Sequence, residues 1–179
     1  LQTAQKLGPA SLQKWVEASG LEREPATGAG LNLVEQGDLV ELNGKNLLIP
    51  SGQFVQLNQM IQDTLGAFHS QFPLRPGMPR EQLKSQLGQP ANVFDALIKQ
   101  LAENNIVDEF GAKLKLREHQ VVFTSVQQKQ VDALMAQFDA QPYTPPSVKQ
   151  SEEAAGEELL TALIETGQLI QLGEDVLLQ

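Results

Sequence analysis

The stretch Phe68-His69-Ser70-Gln71-Phe72-Pro73-Leu74-Arg75-Pro76-Gly77-Met78-Pro79-Arg80-Glu81-Gln82-Leu83-Lys84-Ser85-Gln86-Leu87-Gly88 reads as three pieces in succession. The first ends a helix whose apolar positions, Phe54, Leu57, Ile61, Leu65 and Phe68, recur every three or four residues and so share one face. The second is a turn in which prolines at 73, 76 and 79 restrict φ and hold Arg75 between them. The third is a short helix, Pro79–Leu87, with proline in its first turn, where a missing N–H leaves no hydrogen bond unmade. Working outward, Val93, Phe94, Leu97, Ile98 and Leu101 mark a third helix that ends near Asn104-Asn105. Ile106-Val107 starts a strand, Gly111 turns it, and Lys113–Leu116 and Val121–Phe123 continue a small sheet.

The same order recurs on both sides. Toward the N-terminus, Leu1–Leu7 is a short helical piece broken by Gly8-Pro9, and Ser11 caps a helix carrying Leu12, Trp15 and Val16 up to Gly20. A glycine-containing loop then leads to an apolar stripe of Leu31, Leu33 and Val34, stopped by Gly37. Leu39–Leu42 and Leu47–Ile49 flank Asn43-Gly44, a strong hairpin signal because both residues tolerate positive φ. Toward the C-terminus, Ser125 caps a helix with Val131, Leu134, Met135 and Phe138. Ser147 caps a short helix after Pro145-Pro146, and Glu157–Thr166 forms the next with Leu159, Leu160, Leu163 and Ile164 apolar. Leu169–Leu172 and Val176–Leu178 close the run as a hairpin.

Three passages of helix, helix, helix and hairpin point to a mostly helical α+β chain, a tandem array of three winged-helix domains. The expected boundaries are 1–52 (its beginning missing), 53–124 and 125–179. Domains this small have marginal cores, and the junctions at Gly52 and Thr124 leave little linker, so an elongated, fairly stiff tandem is expected.

The chain has 179 residues, 41% of them hydrophobic, and no apolar run approaches the roughly 18 residues of a membrane span. It begins with Leu1, as an internal fragment would, and nothing before the first helix has the form of a signal peptide. With no cysteine, disulfides and thiol chemistry are excluded, in keeping with a cytoplasmic location. The net charge of −9 is unevenly spread. Residues 1–52 have four basic and six acidic groups, residues 53–124 seven of each, and residues 125–179 two basic and nine acidic. Phosphate binding needs a basic footprint, so any contact with nucleic acid is expected in the middle third.

Catalytic signals are missing. Of the two histidines, His69 has Phe72 and Pro73 at the helical i+3 and i+4 positions and reads as a turn residue holding a backbone hydrogen bond. His119, beside Arg117 and Glu118, reads as a solvated loop residue. Neither has the companions a metal site needs. There is no nucleophile elbow and no glycine-rich phosphate loop. Gly44-Lys45-Asn46 leads into a strand, not a helix. Glu152, Glu153, Glu157 and Glu158 fit a solvated helix start favoured by the helix dipole. No catalytic residue, metal or cofactor is expected.

For recognition, the candidates are Arg75, Arg80, Lys84, Lys113, Lys115 and Arg117. Arg75, fixed in its turn, could meet a phosphate or carboxylate bidentately, or pair with a carboxylate of its own domain. Arg80 and Lys84 share a helix face, which with Glu81 could equally be a mixed solvated surface. Lys113, Lys115 and Arg117 alternate, so in a strand they point one way, either to a nucleic-acid backbone or as protection of an edge strand. Trp15 reads as packing rather than a base-stacking platform, and Tyr143 as an exposed loop residue.

The Phe68–Gly88 stretch also closely resembles the segment His-x-x-x-Pro-Leu-Arg-Pro-Gly-x-Pro-Arg-Glu-x-Leu of the SelB family, the bacterial selenocysteine-specific elongation factors. Phe94–Leu101 with Ile106-Val107, Tyr143–Ser147 and Gly156–Leu160 with Gly167–Leu169 extend the resemblance through most of the chain. In that family an EF-Tu-like GTPase part delivers selenocysteinyl-tRNA to the ribosome. Four winged-helix domains follow, the last gripping the mRNA SECIS hairpin downstream of the recoded UGA codon. The resemblance implies winged-helix domains one to three, without the fourth. It implies an arm between the GTPase part and the hairpin-binding domain, touching the mRNA hairpin mainly through that other domain. It further implies GTP and selenocysteinyl-tRNA bound elsewhere, ribosome contact, a monomer, and no enzymatic activity of its own.

Tandem winged helices also serve as protein-interaction modules or DNA-binding regulators. The candidate recognition helices Ala26–Gln36, Gln89–Asn104 and Glu157–Thr166 hold one lysine, Lys99, and no arginine, which speaks against reading DNA sequence.

Overall fold

A computed structural model describes residues 1–42 and 46–179. The Asn43-Gly44 turn lies outside the described residues. The chain divides into two compact units, Leu1–Gly66 with Pro79–Arg117, and Ala67–Met78 with Glu118–Gln179.

In the first unit, α1 (Gln2–Leu7) and α2 (Leu12–Ser19) meet at Gly8, and the Ser11 hydroxyl accepts the Lys14 N–H to cap α2. Then come α3 (Arg23–Glu35) and the antiparallel pair β1 (Leu39–Leu42) and β2 (Leu47–Pro50), with Val40 opposite Ile49 and Leu42 opposite Leu47. Trp15, Leu39, Leu48, Ala4 and Ala10 form the core here, and the Trp15 indole N–H donates to Gly8 C=O at 3.0 Å. The expected glycine loop before Leu31 is instead part of α3, which contains Gly28 and Gly30. At position 30 a Cβ would overlap Leu12 Cδ1, so a larger residue there would have to displace the Leu12 side chain of α2. Leu31 faces solvent.

The long α4 (Ser51–Gln71) begins in this unit, its Leu57, Ile61 and Leu65 buried as their spacing predicts. After β3 (Met78–Pro79) come α5 (Arg80–Leu87), α6 (Ala91–Glu103), β4 (Val107–Phe110) and β5 (Lys113–Leu116), with sheet order β3-β5-β4. Gly88, at φ 59°, closes α5 in the left-handed conformation. Pro79 caps α5 rather than occupying its first turn, and the Arg80 N–H donates to Ala112 C=O. The expected strand at Val121–Phe123 does not form. Val121 and Phe123 turn instead onto the core of the second unit, and the third strand comes from Met78–Pro79.

The second unit holds α7 (Ser125–Ala140), α8 (Val148–Ala155), α9 (Glu157–Glu165), and the pair β6 (Ile170–Leu172) and β7 (Val176–Leu178). Leu74 from the proline turn joins Val131, Leu134, Phe138, Leu159, Leu160, Leu163, Leu169 and Leu177 in its core. The cap of α7 is Thr124, one residue before the expected Ser125, because Thr124 and Gln127 satisfy each other's backbone N–H groups in a capping box. Ser147 and Gln150 do the same for α8. In the first unit Ala10, just before its Ser11 cap, bridges to Leu48. The residue before Ser147 is Pro146, which has no N–H to donate, and among the described residues no third strand joins β6 and β7. Helix, helix, helix and hairpin thus recur three times along the chain, as a tandem winged-helix α+β fold.

Candidate nucleic-acid interface

Most of the candidate cations lie in the first unit, and several are already matched to carboxylates. Arg80 at the start of α5 sends one guanidinium nitrogen to Asp95 Oδ1 of α6 and the other to Glu109 Oε2 of β4, both at 2.9 Å. The same group lies 5.2 Å from the Phe94 ring centroid. Arg80 therefore ties helix, helix and wing together. Lys84 lies 3.2 Å from Glu81 one turn earlier, and Lys99 lies 3.9 Å from Glu103.

On the wing, β5 buries Leu114 and leaves Lys113 and Lys115 half-exposed on its other face. The register sets Lys115 opposite Asp108 and Lys113 opposite Phe110, so an acid interrupts the basic face. Arg117 follows the strand rather than continuing it. Its Nη1 donates to Asn105 Oδ1 at 2.6 Å and lies 3.6 Å from Asp108 Oδ1.

Arg75 belongs to the second unit. Its N–H donates to Phe72 C=O at 3.0 Å, and its own carbonyl lies 2.9 Å from His119 Nε2, the tautomer with a proton on that nitrogen donating to it. The adjacent Leu74 is sunk in the core. The exposed guanidinium lies 5.1 Å from the centroid of Phe72, and among the described residues it is paired with no carboxylate.

His119 departs from its expected role. His69 is buried, and its ring lies flat on that of His119, with centroids 3.6 Å apart and planes within 7°. His119 is thus packed, not a solvated loop residue. No local pattern signals this pair, because a whole passage of helices and wing separates the two in sequence.

Among the described residues, no group of three or more His, Cys, Asp or Glu side chains could hold a metal ion. No described helix is long and apolar enough to cross a membrane. Glu152, Glu153, Glu157 and Glu158 are exposed, the last two in the first turn of α9. Trp15 is buried and Tyr143 is exposed, each as its sequence context indicates. The helix expected at Ala26–Gln36 starts earlier, which adds Arg23 to its first turn.

Residues 62–116 match the family model described as "Elongation factor SelB, winged helix". No curated protein matches the chain. Nine chains of solved structures match. One of them is the mRNA-binding domain of elongation factor SelB from E. coli in complex with SECIS RNA. It is 16% identical over 65% of this chain and 93% of its own, with a TM-score of 0.49. Residues 62–116, which contain the whole Phe68–Gly88 motif, are thus similar to a winged helix of elongation factor SelB, and they lie in a chain in which helices and hairpin recur three times.

Proposed function

We propose that this region is a structural arm of a selenocysteine-specific elongation factor. It links the part that binds GTP and selenocysteinyl-tRNA to a domain that holds the mRNA SECIS hairpin while UGA is recoded on the ribosome in the cytoplasm. The observation that carries this reading is the match of residues 62–116 to a SelB winged helix. An arm, rather than a grip, is favoured by the state of the cations. Arg80, Lys84, Lys99 and Arg117 are each within reach of a carboxylate, and residues 125–179 carry nine acidic groups against two basic. A surface so balanced releases few counterions from a phosphate backbone. A DNA-reading role has less support, since α6 buries Val93, Phe94, Ala96, Leu97, Ile98 and Leu101 and its one lysine is paired. The arm works as a monomer and performs no catalysis itself.

The test is titration of a labelled SECIS-type hairpin with this chain alone and with the chain joined to the hairpin-binding domain. The chain alone should bind no better than in the non-specific range, with a Kd of about 10⁻⁴ to 10⁻⁶ M at physiological salt, and the longer protein far more tightly. Tight binding by this chain alone, with a steep salt dependence, would overturn the arm reading. GTP hydrolysis by the chain alone should stay at the buffer rate.

A further inference from the structure

We infer that Arg75 is a pre-set contact for a single RNA backbone phosphate. This deepens the arm reading and rests on it. The second unit, residues 67–78 and 118–179, holds ten carboxylate side chains and only three basic ones, Arg75, Lys129 and Lys149. An arginine free to swing would be drawn to one of those carboxylates, yet among the described residues Arg75 pairs with none. The fold holds it elsewhere. Its N–H is bonded to Phe72 C=O, its C=O to His119 Nε2, and its guanidinium lies by the Phe72 ring. Leu74 on one side is buried at 3% exposure, and Pro76 on the other restricts the backbone.

Two properties follow from this arrangement. The backbone that carries the side chain is fixed and the guanidinium rests by the Phe72 ring, so part of the ordering that usually opposes binding is complete before a partner arrives. The guanidinium is also exposed and, among the described residues, in no ion pair, which suits a phosphate's paired oxygens. The choice of a phosphate over a protein carboxylate rests on the arm reading, in which another domain holds an RNA. A single arginine in an acidic unit gives one anchoring contact and no extended footprint, which is what an already tethered RNA requires.

The experiment uses the whole chain, labelled with ¹⁵N and titrated at low salt with a short oligouridylate and, separately, with a short polyglutamate peptide. The Arg75 Nε–Hε resonance should shift on adding the oligouridylate and stay in place with polyglutamate. Arg75→Ala should weaken oligouridylate binding about tenfold, as loss of one charge-assisted contact does. It should also lower the salt slope of log K by about 0.7, the value for one single-strand phosphate. Arg75→Lys should keep the slope but recover only part of the affinity, because a point charge cannot engage two oxygens at once. An Arg75 resonance that stays still while others move overturns the inference and leaves the arm reading intact. No response anywhere overturns it too, and an equal response to polyglutamate assigns Arg75 to an acidic protein surface instead. The arm reading stands or falls separately on the hairpin titration with and without the adjoining domain.

Discussion

The imidazole of His119 lies face to face with that of His69 at 3.6 Å, and its Nε2 is bonded to the Arg75 carbonyl at 2.9 Å. One side chain thus joins the last turn of α4, the proline turn and the segment leading into α7. His119→Ala removes both the stack and the hydrogen bond and should destabilise the chain by about 1–2 kcal/mol. His119→Phe keeps a ring but no donor and should recover part of that loss. Urea unfolding of the three proteins, compared through their midpoints at constant m, measures both steps.

Gly28 and Gly30 lie two residues apart in α3 and should respond to alanine differently. At Gly28 a Cβ meets nothing within 4 Å, so Gly28→Ala should stabilise by about 0.5–1 kcal/mol through helix propensity. At Gly30 the Cβ overlaps Leu12 Cδ1, the end of a half-buried side chain that must shift, so Gly30→Ala should be less stabilising than Gly28→Ala by about 1 kcal/mol despite the same propensity gain. Thermal unfolding of the two variants decides the matter, and equal effects would contradict the close packing of α2 on α3.

Trp15→Phe retains an apolar ring but loses the indole bond to Gly8 C=O, leaving that carbonyl without this partner. A loss of about 1 kcal/mol is expected. Because Trp15 is the only tryptophan, its emission in the parent chain reports unfolding of the first unit alone and should be blue-shifted while folded.

Arg80→Ala should lower stability by about 1–2 kcal/mol, since it removes two ion pairs and an aromatic contact at once. Asp95 and Glu109 are half-exposed, so solvent screening keeps the effect below that of a buried pair. The difference from the parent should shrink in high salt. Oligouridylate affinity should hardly change, in contrast to Arg75→Ala, and a comparable loss at Arg80 would show that its carboxylate partners release it to bind RNA.

Ser151 is fully buried in α8, and among the described residues its Oγ has no hydrogen-bond partner. Ser151→Ala should therefore be neutral or stabilising by up to about 1 kcal/mol, because it removes a desolvated hydroxyl and improves helix propensity. Clear destabilisation in a melting experiment would mean that the hydroxyl has a structural partner.

Much of the fold was legible because its signals are short-ranged. The spacing of Leu57, Ile61, Leu65 and Phe68 defines a helix face, Ser11 and Ser147 announce helix starts, and Gly88 and Gly167 adopt the positive φ that ends helices. Each depends on residues within about a turn of one another, so it survives without knowledge of the rest of the chain. Where a local rule met a longer-range demand, packing prevailed. The glycines of α3 looked like loop but lie within the helix, and Val121–Phe123 looked like strand, but Val121 and Phe123 pack on the core of the second unit.

The candidate site was legible as residue types and not as electrostatics. Arg75 and Arg80 lie five positions apart in one motif and look alike in sequence, each flanked by proline. Whether an arginine is neutralised depends on which carboxylates the fold brings to it. Asp95 and Glu109 reach Arg80 from later elements, whereas Arg75 receives Phe72 and His119. By itself the sequence determined the thrice-repeated order of elements and the family resemblance, since periodicity, caps and motif are local properties. Only the tertiary structure decided that Arg80 is paired by Asp95 and Glu109 and that two histidines stack, because those depend on distances between segments far apart in the chain.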